Sequence, residues 1–393
     1  MFFNSFAYAF FLPLVFVLYW FPLRHNRYIQ NVLLLCASYF FYACWDWRFL
    51  FLLIFSTALD YKCGLLIQES SSTRERKTWL WLSIVINLSF LGVFKYYDFF
   101  AVSFAETMSE IGFQVNPGLL QVILPVGISF YTFHGLSYVI DIYKGRIKAE
   151  KSIVDYSLFV SFFPLLVAGP IERATHLLPQ LKTERKFNYA NAVDGLRQIL
   201  WGLFKKIVIA DQCARTANVI FDNPDAYSGS TLALGAVLFA FQIYGDFSGY
   251  SDIALGSARL FGIELLQNFS FPYFSRNIAE FWRRWHISLS SWFRDYLYIP
   301  LGGSRGTTFK KVRNVFIIFI VSGFWHGANW TFIIWGLLNA LYIMPSVLIG
   351  NNRNYLDTVA GGKLLPDFRE FFSMAITFGL TVLAWIFFRA ESV

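Results

Sequence analysis

From residue 315 to residue 349 the chain carries no Asp, Glu, Lys or Arg. A bilayer core needs roughly 20 consecutive apolar residues per helical crossing, so this one run allows a crossing and a return. Predominantly apolar stretches of similar kind cover residues 6–23, 28–67, 79–94, 119–143, 196–221, 232–261 and 371–388. Charged residues make up 15% of the chain and the mean hydropathy is +0.48, against about 25% charged in an ordinary soluble domain. In lipid every backbone polar group must be satisfied internally, and runs of this length do so as helices. The expected fold is therefore an all-α, polytopic membrane protein, a single membrane domain over residues 1–393 with no soluble domain, linker or low-complexity tract.

Charge sets the expected topology. The formal net charge is +8, but the basic residues cluster in short loops between apolar stretches: Arg24 and Arg27, then Arg74, Arg76 and Lys77, then Lys144, Arg146, Lys148 and Lys151. That pattern marks cytoplasmic loops rather than a nucleic-acid surface, and it places the N-terminus outside the cell. Residues 6–23 lack a preceding basic residue and a following small-residue cleavage site, and read as a retained helix. The tetrad Trp45, Asp46, Trp47 and Arg48 divides residues 28–67 into a helix hairpin. The alternation breaks at residues 153–168, which have basic loops on both sides. Pro164, Gly169 and Pro170 there suggest a broken, re-entrant segment, tolerated at membrane depth where protein covers it. About ten crossings result. The four cysteines have no metal-ligand spacing, and no disulfide framework is expected.

Chemistry is sparse. His326, in SGFWHGANW, is the one side chain of the 315–349 run that titrates near neutrality, and an ionisable group at membrane depth is a functional candidate by default. The alternative is an interfacial histidine held in an aromatic belt by Trp325 and Trp330. Residues 280–301 read as one amphipathic surface helix. Trp282, Trp285, Leu289, Phe293, Tyr296 and Leu297 form its apolar face, and Arg284, Ser288, Ser291 and Asp295 its polar one. His286 falls among the apolar residues, so burying that face carries it toward the helix bundle. His134 reads as structural, and His25 and His176 as solvated or headgroup-facing. Asp246 and Asp252 lie in the 232–261 stretch and either face water or bond locally. No serine elbow, phosphate-binding loop or metal-ligand pair is present, so metal is not expected. A neutral imidazole in a dry site remains, able to take a proton from a hydroxyl as it attacks a thioester. Gly323, Gly327, Gly245 and Gly249 suggest small-residue gaps that would admit a thin donor arm.

Five segments then carry a resemblance: PVGISFYTFHGLSYVID, FFPLLVAGPIER, YGDFSGYSDIALG, FSRNIAEFWRRWHISLSSWFRDYLYIPLGGSR and SGFWHGANWTFIIWG. They resemble the membrane-bound O-acyltransferase family, most of all its bacterial alginate O-acetyltransferase branch, and are also similar to D-alanyl and peptidoglycan acyl exporters. The resemblance runs from the first apolar stretch to Arg389. It implies a ring of tilted helices around a central funnel. It implies an essential histidine at His326, a second motif histidine at His286, and weaker substrate-binding candidates at Asn277, Arg284, Asp246, Trp325 and Asn329. It further implies a cytoplasmic thioester donor, acetyl-CoA or an acyl carrier, with no bound cofactor. The implied partners are a separate extracytoplasmic O-acetyltransferase protein and a polysaccharide acceptor such as alginate. The implied location is the bacterial inner membrane. Members of this branch usually continue for further helices, so more chain is expected beyond Val393. The rival from another class is a non-catalytic channel or flippase gated by His326.

Overall fold

A computed structural model describes residues 1–392 and is helical throughout, with no strand among the described residues. Two compact units share the chain: Met1–Trp201 with Tyr250–Leu266, and Gly202–Gly249 with the residues from Gln267 onward.

The first unit holds α1 (Phe6–Trp20), α2 (Arg27–Ala43), α3 (Trp47–Glu69), α4 (Thr73–Leu91), α5 (Tyr97–Glu110), α6 (Ile128–Tyr143), α7 (Ile153–Ser161), α8 (Phe163–Leu166), α9 (Ala174–Lys182) and most of α10 (Tyr189–Phe204). Polar punctuation sets the helix starts. Asn26 and Asp46 cap α2 and α3 with their side chains, Asp46 accepting the Arg48 N–H at 2.9 Å. The tetrad read from the sequence is therefore the turn between α2 and α3. A π-helical stretch, Gly92–Tyr96, joins α4 to α5 without a break. The interior of α3, α4 and α6 is polar and tight. Asp60 on α3 is buried and accepts from Ser83 at 2.6 Å and Asn87 at 2.8 Å on α4. A Cβ at Gly135 of α6 would lie 1.8 Å from the Asp60 carboxylate, so only glycine allows this approach.

Two expectations are corrected by the fold, and two hold. Residues 119–143 are not one helix: α6 starts only at Ile128, after a non-helical segment in which residues 118–124 are exposed and Pro125 is buried. Gly127 takes a left-handed φ of 75° against the Leu166 carbonyl, which fixes that start. His176 is not simply solvated; it is half-buried and bonds the buried Glu172 at 2.8 Å. The break near Pro164 is present, because Phe162 interrupts the helix between α7 and α8. His134 is fully buried and accepts the Glu172 backbone N–H at 3.1 Å, a packing role.

The second unit holds α11 (Asp211–Asp222), α12 (Gly229–Leu260, whose last turns from Tyr250 belong to the first unit), α13 (Ile278–Arg284), α14 (Ile287–Phe293), α15 (Thr308–His326), α16 (Trp330–Ile349) and α17 (Phe368–Arg389). A second π-helical stretch, Lys205–Ala210, leads into α11. The uncharged run folds back on itself as the α15–α16 hairpin. Its helices meet at glycine: a Cβ at Gly323 would lie 2.2 Å from the Phe332 carbonyl oxygen, and one at Gly336 2.3 Å from that of Phe319. An aromatic core of Trp285, Phe281, Trp335, Trp385 and Phe239 fills this unit. Among the described residues five helical segments are long and apolar enough to cross a membrane: Trp47–Glu69, Thr73–Glu110, Gly229–Leu260, Trp330–Ile349 and Phe368–Arg389. With the shorter apolar helices they make a polytopic membrane protein.

Candidate active site

His326 is the last residue of α15. Asn329 caps the next helix with its side chain, accepting the Thr331 N–H at 3.0 Å, so only three residues separate the two helices. Three rings meet the half-buried imidazole edge-on: Trp325 at 4.9 Å, Trp335 at 5.1 Å and Phe388 at 5.2 Å between centroids. These walls exclude water on their sides while leaving part of the imidazole accessible.

His286 sits on the same aromatic wall. Its ring centroid is 6.2 Å from that of Trp325 and 4.6 Å from that of Phe247, which it meets at 89°. One indole thus touches both motif histidines. His286 is 2% exposed, and burial pushes its pKa down to about 3, so the imidazole is neutral at physiological pH.

The backbone around His286 departs from the single surface helix expected over residues 280–301. His286 has φ 42° and ψ 57°, a left-handed conformation that ends α13 and opens α14. For a residue with a branched ring this costs on the order of 1–3 kcal/mol and persists only where surrounding structure enforces it. The enforcement is a short backbone ladder: Ser270 N–H to Arg284 O at 3.0 Å and Ile287 N–H to Asn268 O at 2.9 Å. Because the helix breaks there, the helical wheel misplaces Ser288 beyond it. Ser288, placed on the polar face, is buried and donates to Asn268 at 2.6 Å. Trp285, Leu289 and Phe293 are buried as expected.

The weaker candidates divide by position. Trp325 lies between the two imidazoles. Asn329 caps α16 and donates to the Glu391 carbonyl at 2.9 Å. Asn277 caps α13, accepting the Glu280 N–H at 2.7 Å. Arg284 donates to the buried Glu280 at 2.7 Å. Asp246 pairs with Lys206, which also bonds Asp211 at 2.8 Å, and Asp252 accepts from Gln198 at 3.1 Å. Asn277 and Arg284 therefore support the fold of α13, the helix that leads into His286. The glycine gaps do not exist. Gly323 and Gly327 are filled by Phe332, and Gly245 and Gly249 by the backbone of residues 202–210, so all four glycines serve close packing.

One supporting cluster went unread in the sequence. Glu280, 1% exposed, accepts from Arg276 and Arg284 on either side of it. Arg276 also reaches Asp357 at 2.9 Å and Glu370 at 2.8 Å, pinning the segment before α17. Burial opposes the Arg276 charge, but the hydrogen bonds from Glu280, Glu370 and Asp357 more than offset it and hold its pKa above the usual value. Among the described residues no group of His, Cys, Asp and Glu side chains could hold a metal ion.

Comparison with known proteins bears on this arrangement. A family model described as the membrane-bound O-acyltransferase family matches residues 146–359, a segment containing both His286 and His326. The chain is 41% identical to a protein named as a probable alginate O-acetylase from Pseudomonas aeruginosa, over 99% of this chain and 72% of the relative. It is 38% identical to a peptidoglycan O-acetyltransferase from Helicobacter pylori, over 99% of this chain and 77% of the relative. It is 32% identical to a teichoic acid D-alanyltransferase from Bacillus subtilis, over 55% and 57%.

Proposed function

The chain belongs to the membrane-bound O-acyltransferase family, and from that premise we propose that it takes acetyl from a cytoplasmic thioester and passes it across the bilayer for O-acetylation of an extracytoplasmic polysaccharide. It is a multi-pass membrane O-acyltransferase. Acetyl is favoured over D-alanyl because the acetyltransferase relatives match 99% of the chain, against 55% for the Bacillus subtilis D-alanyltransferase. Alginate is the acceptor favoured by the first relative's name. The donor is acetyl-CoA or an acyl carrier, and the partner is an extracytoplasmic O-acetyltransferase protein. The membrane is the bacterial inner membrane with the N-terminus outside, in keeping with the basic loops.

The observation that carries this reading is the placement of His326 at a helix C-terminus against Trp325, with neutral His286 on the same indole. In the reaction a hydroxyl oxygen attacks the thioester carbonyl carbon while His326 takes the hydroxyl proton. The tetrahedral intermediate collapses, the carbon–sulfur bond breaks, and His326 returns the proton to the leaving thiolate. An ester and a free thiol result. His286, neutral and dry, donates its ring N–H to the donor or to developing oxyanion charge, where desolvation strengthens the hydrogen bond. A covalent acyl-histidine is the less favoured route. Purified protein in vesicles, given acetyl-CoA and a hydroxyl acceptor, is expected to release free thiol above the rate of empty vesicles. A rate equal to that of empty vesicles overturns the proposal and favours a channel.

A further inference from the structure

The geometry points to a second ligand site, in the first unit and independent of the acyl-transfer reading: a basic cavity at the end of α1 that binds the headgroup of an anionic phospholipid. The cavity holds about 600 Å³. It lies between the last turn of α1, the start of α2 and residues 184–187. Arg24, Arg27, Arg185 and Lys186 line it, against a single carboxylate, Glu184.

Arg185 carries the argument. It is 8% exposed, and one of its nitrogens donates to Asn31. Its Nε and Nη1 are buried without a hydrogen-bond acceptor. The Tyr19 ring, 5.6 Å from the guanidinium carbon, covers one face. A guanidinium taken out of water with two donors unmet is costly, and buried donors in native proteins almost always have a partner. Arg27 is already committed to the Leu181 carbonyl at 3.0 Å and to Asp155 at 3.5 Å. Phosphate oxygens entering the cavity would meet the open Arg185 donors, with exposed Arg24 and Lys186 at the rim.

The surroundings select a lipid. The cavity sits where an apolar helix ends, the depth of headgroups. Beside it Val17, Leu18, Phe21 and Phe187 present apolar side chains to the outside, 49%, 40%, 70% and 50% exposed. A phosphate ligand whose apolar tails run along α1 covers that surface as well as the charge.

The test uses the full chain, purified and stripped of lipid, with binding read by intrinsic tryptophan fluorescence and by thermal shift. The probes are phosphatidylglycerol, phosphatidylcholine, glycerol 3-phosphate and inorganic phosphate. Phosphatidylglycerol is expected to bind and raise the melting temperature, and the other three to have little effect. The double variant Arg24→Gln/Lys186→Gln alters two exposed side chains and should fold normally. Its affinity for phosphatidylglycerol should fall about 25-fold, from roughly fivefold per basic residue near an anionic surface. Unchanged affinity in that variant overturns the site. Equal binding of phosphatidylcholine overturns its charge basis. Binding of glycerol 3-phosphate or phosphate as strong as that of phosphatidylglycerol overturns the lipid assignment.

Discussion

Replacing Gly323 with alanine should inactivate the enzyme without touching either histidine. Gly323 lies one turn before His326 on α15, and the added Cβ would stand 2.2 Å from the Phe332 carbonyl oxygen of α16. Ordinary contact begins at 3.4 Å, so one helix must retreat by about 1 Å. The obstacle is backbone and cannot rotate away. Overpacking of this kind costs about 1–3 kcal/mol, which a long apolar hairpin can absorb while remaining inserted. The catalytic effect should be larger, because a displacement of about 1 Å at a reacting group costs on the order of a hundredfold in rate. The assay is thiol release from acetyl-CoA by protein reconstituted in nanodiscs, with melting temperature measured in parallel. Gly379→Ala on α17, where an added Cβ meets nothing within 4 Å, is the control and should behave as wild type. Wild-type turnover in Gly323→Ala would refute the claim that helix contact sets the position of His326.

Other outcomes follow from the same geometry. His286 titrates at about 3 when folded and near 6.5 when unfolded, so between those values the unfolded chain binds the extra proton. Stability is therefore fully present above pH 6.5 and lost as pH falls. The loss should be on the order of 2 kcal/mol by pH 5. His286→Gln should lose less stability on acidification, and parallel loss in both proteins would contradict the burial of a neutral imidazole. Glu280→Ala leaves buried Arg276 and Arg284 short of a carboxylate, and should destabilise the protein by about 3 kcal/mol. Chemical denaturation that finds under 1 kcal/mol would show the cluster to be dispensable.

Much of this was legible in the sequence, and the misses have identifiable causes. Lipid demands long apolar helices, so the uncharged run of α15 and α16 and the capped turn at Asp46 could be read directly. Pro164 announced its own break. The failures came where backbone conformation overrides side-chain periodicity. Nothing in the composition of the Trp285–His286 step requires a left-handed residue, so one helix was drawn where there are two, and Ser288 fell on the wrong face. The glycines were read as gaps because a missing side chain looks the same whether a ligand or a neighbouring helix occupies the space. A readable signal was overlooked at Arg276, Glu280 and Arg284, whose four-residue spacing announces an ion-paired ladder. The approach of His286 to Trp325 joins residues far apart in sequence, and one chain has no pattern that encodes it.

The most direct measurement is the rate of thiol release from acetyl-CoA by His326→Ala, in protein matched to wild type for insertion and melting temperature. With the general base removed, the rate should fall by about 10²–10⁴-fold. A variant that is correctly inserted and turns over at the wild-type rate would contradict the assignment of His326 as the residue that accepts the proton.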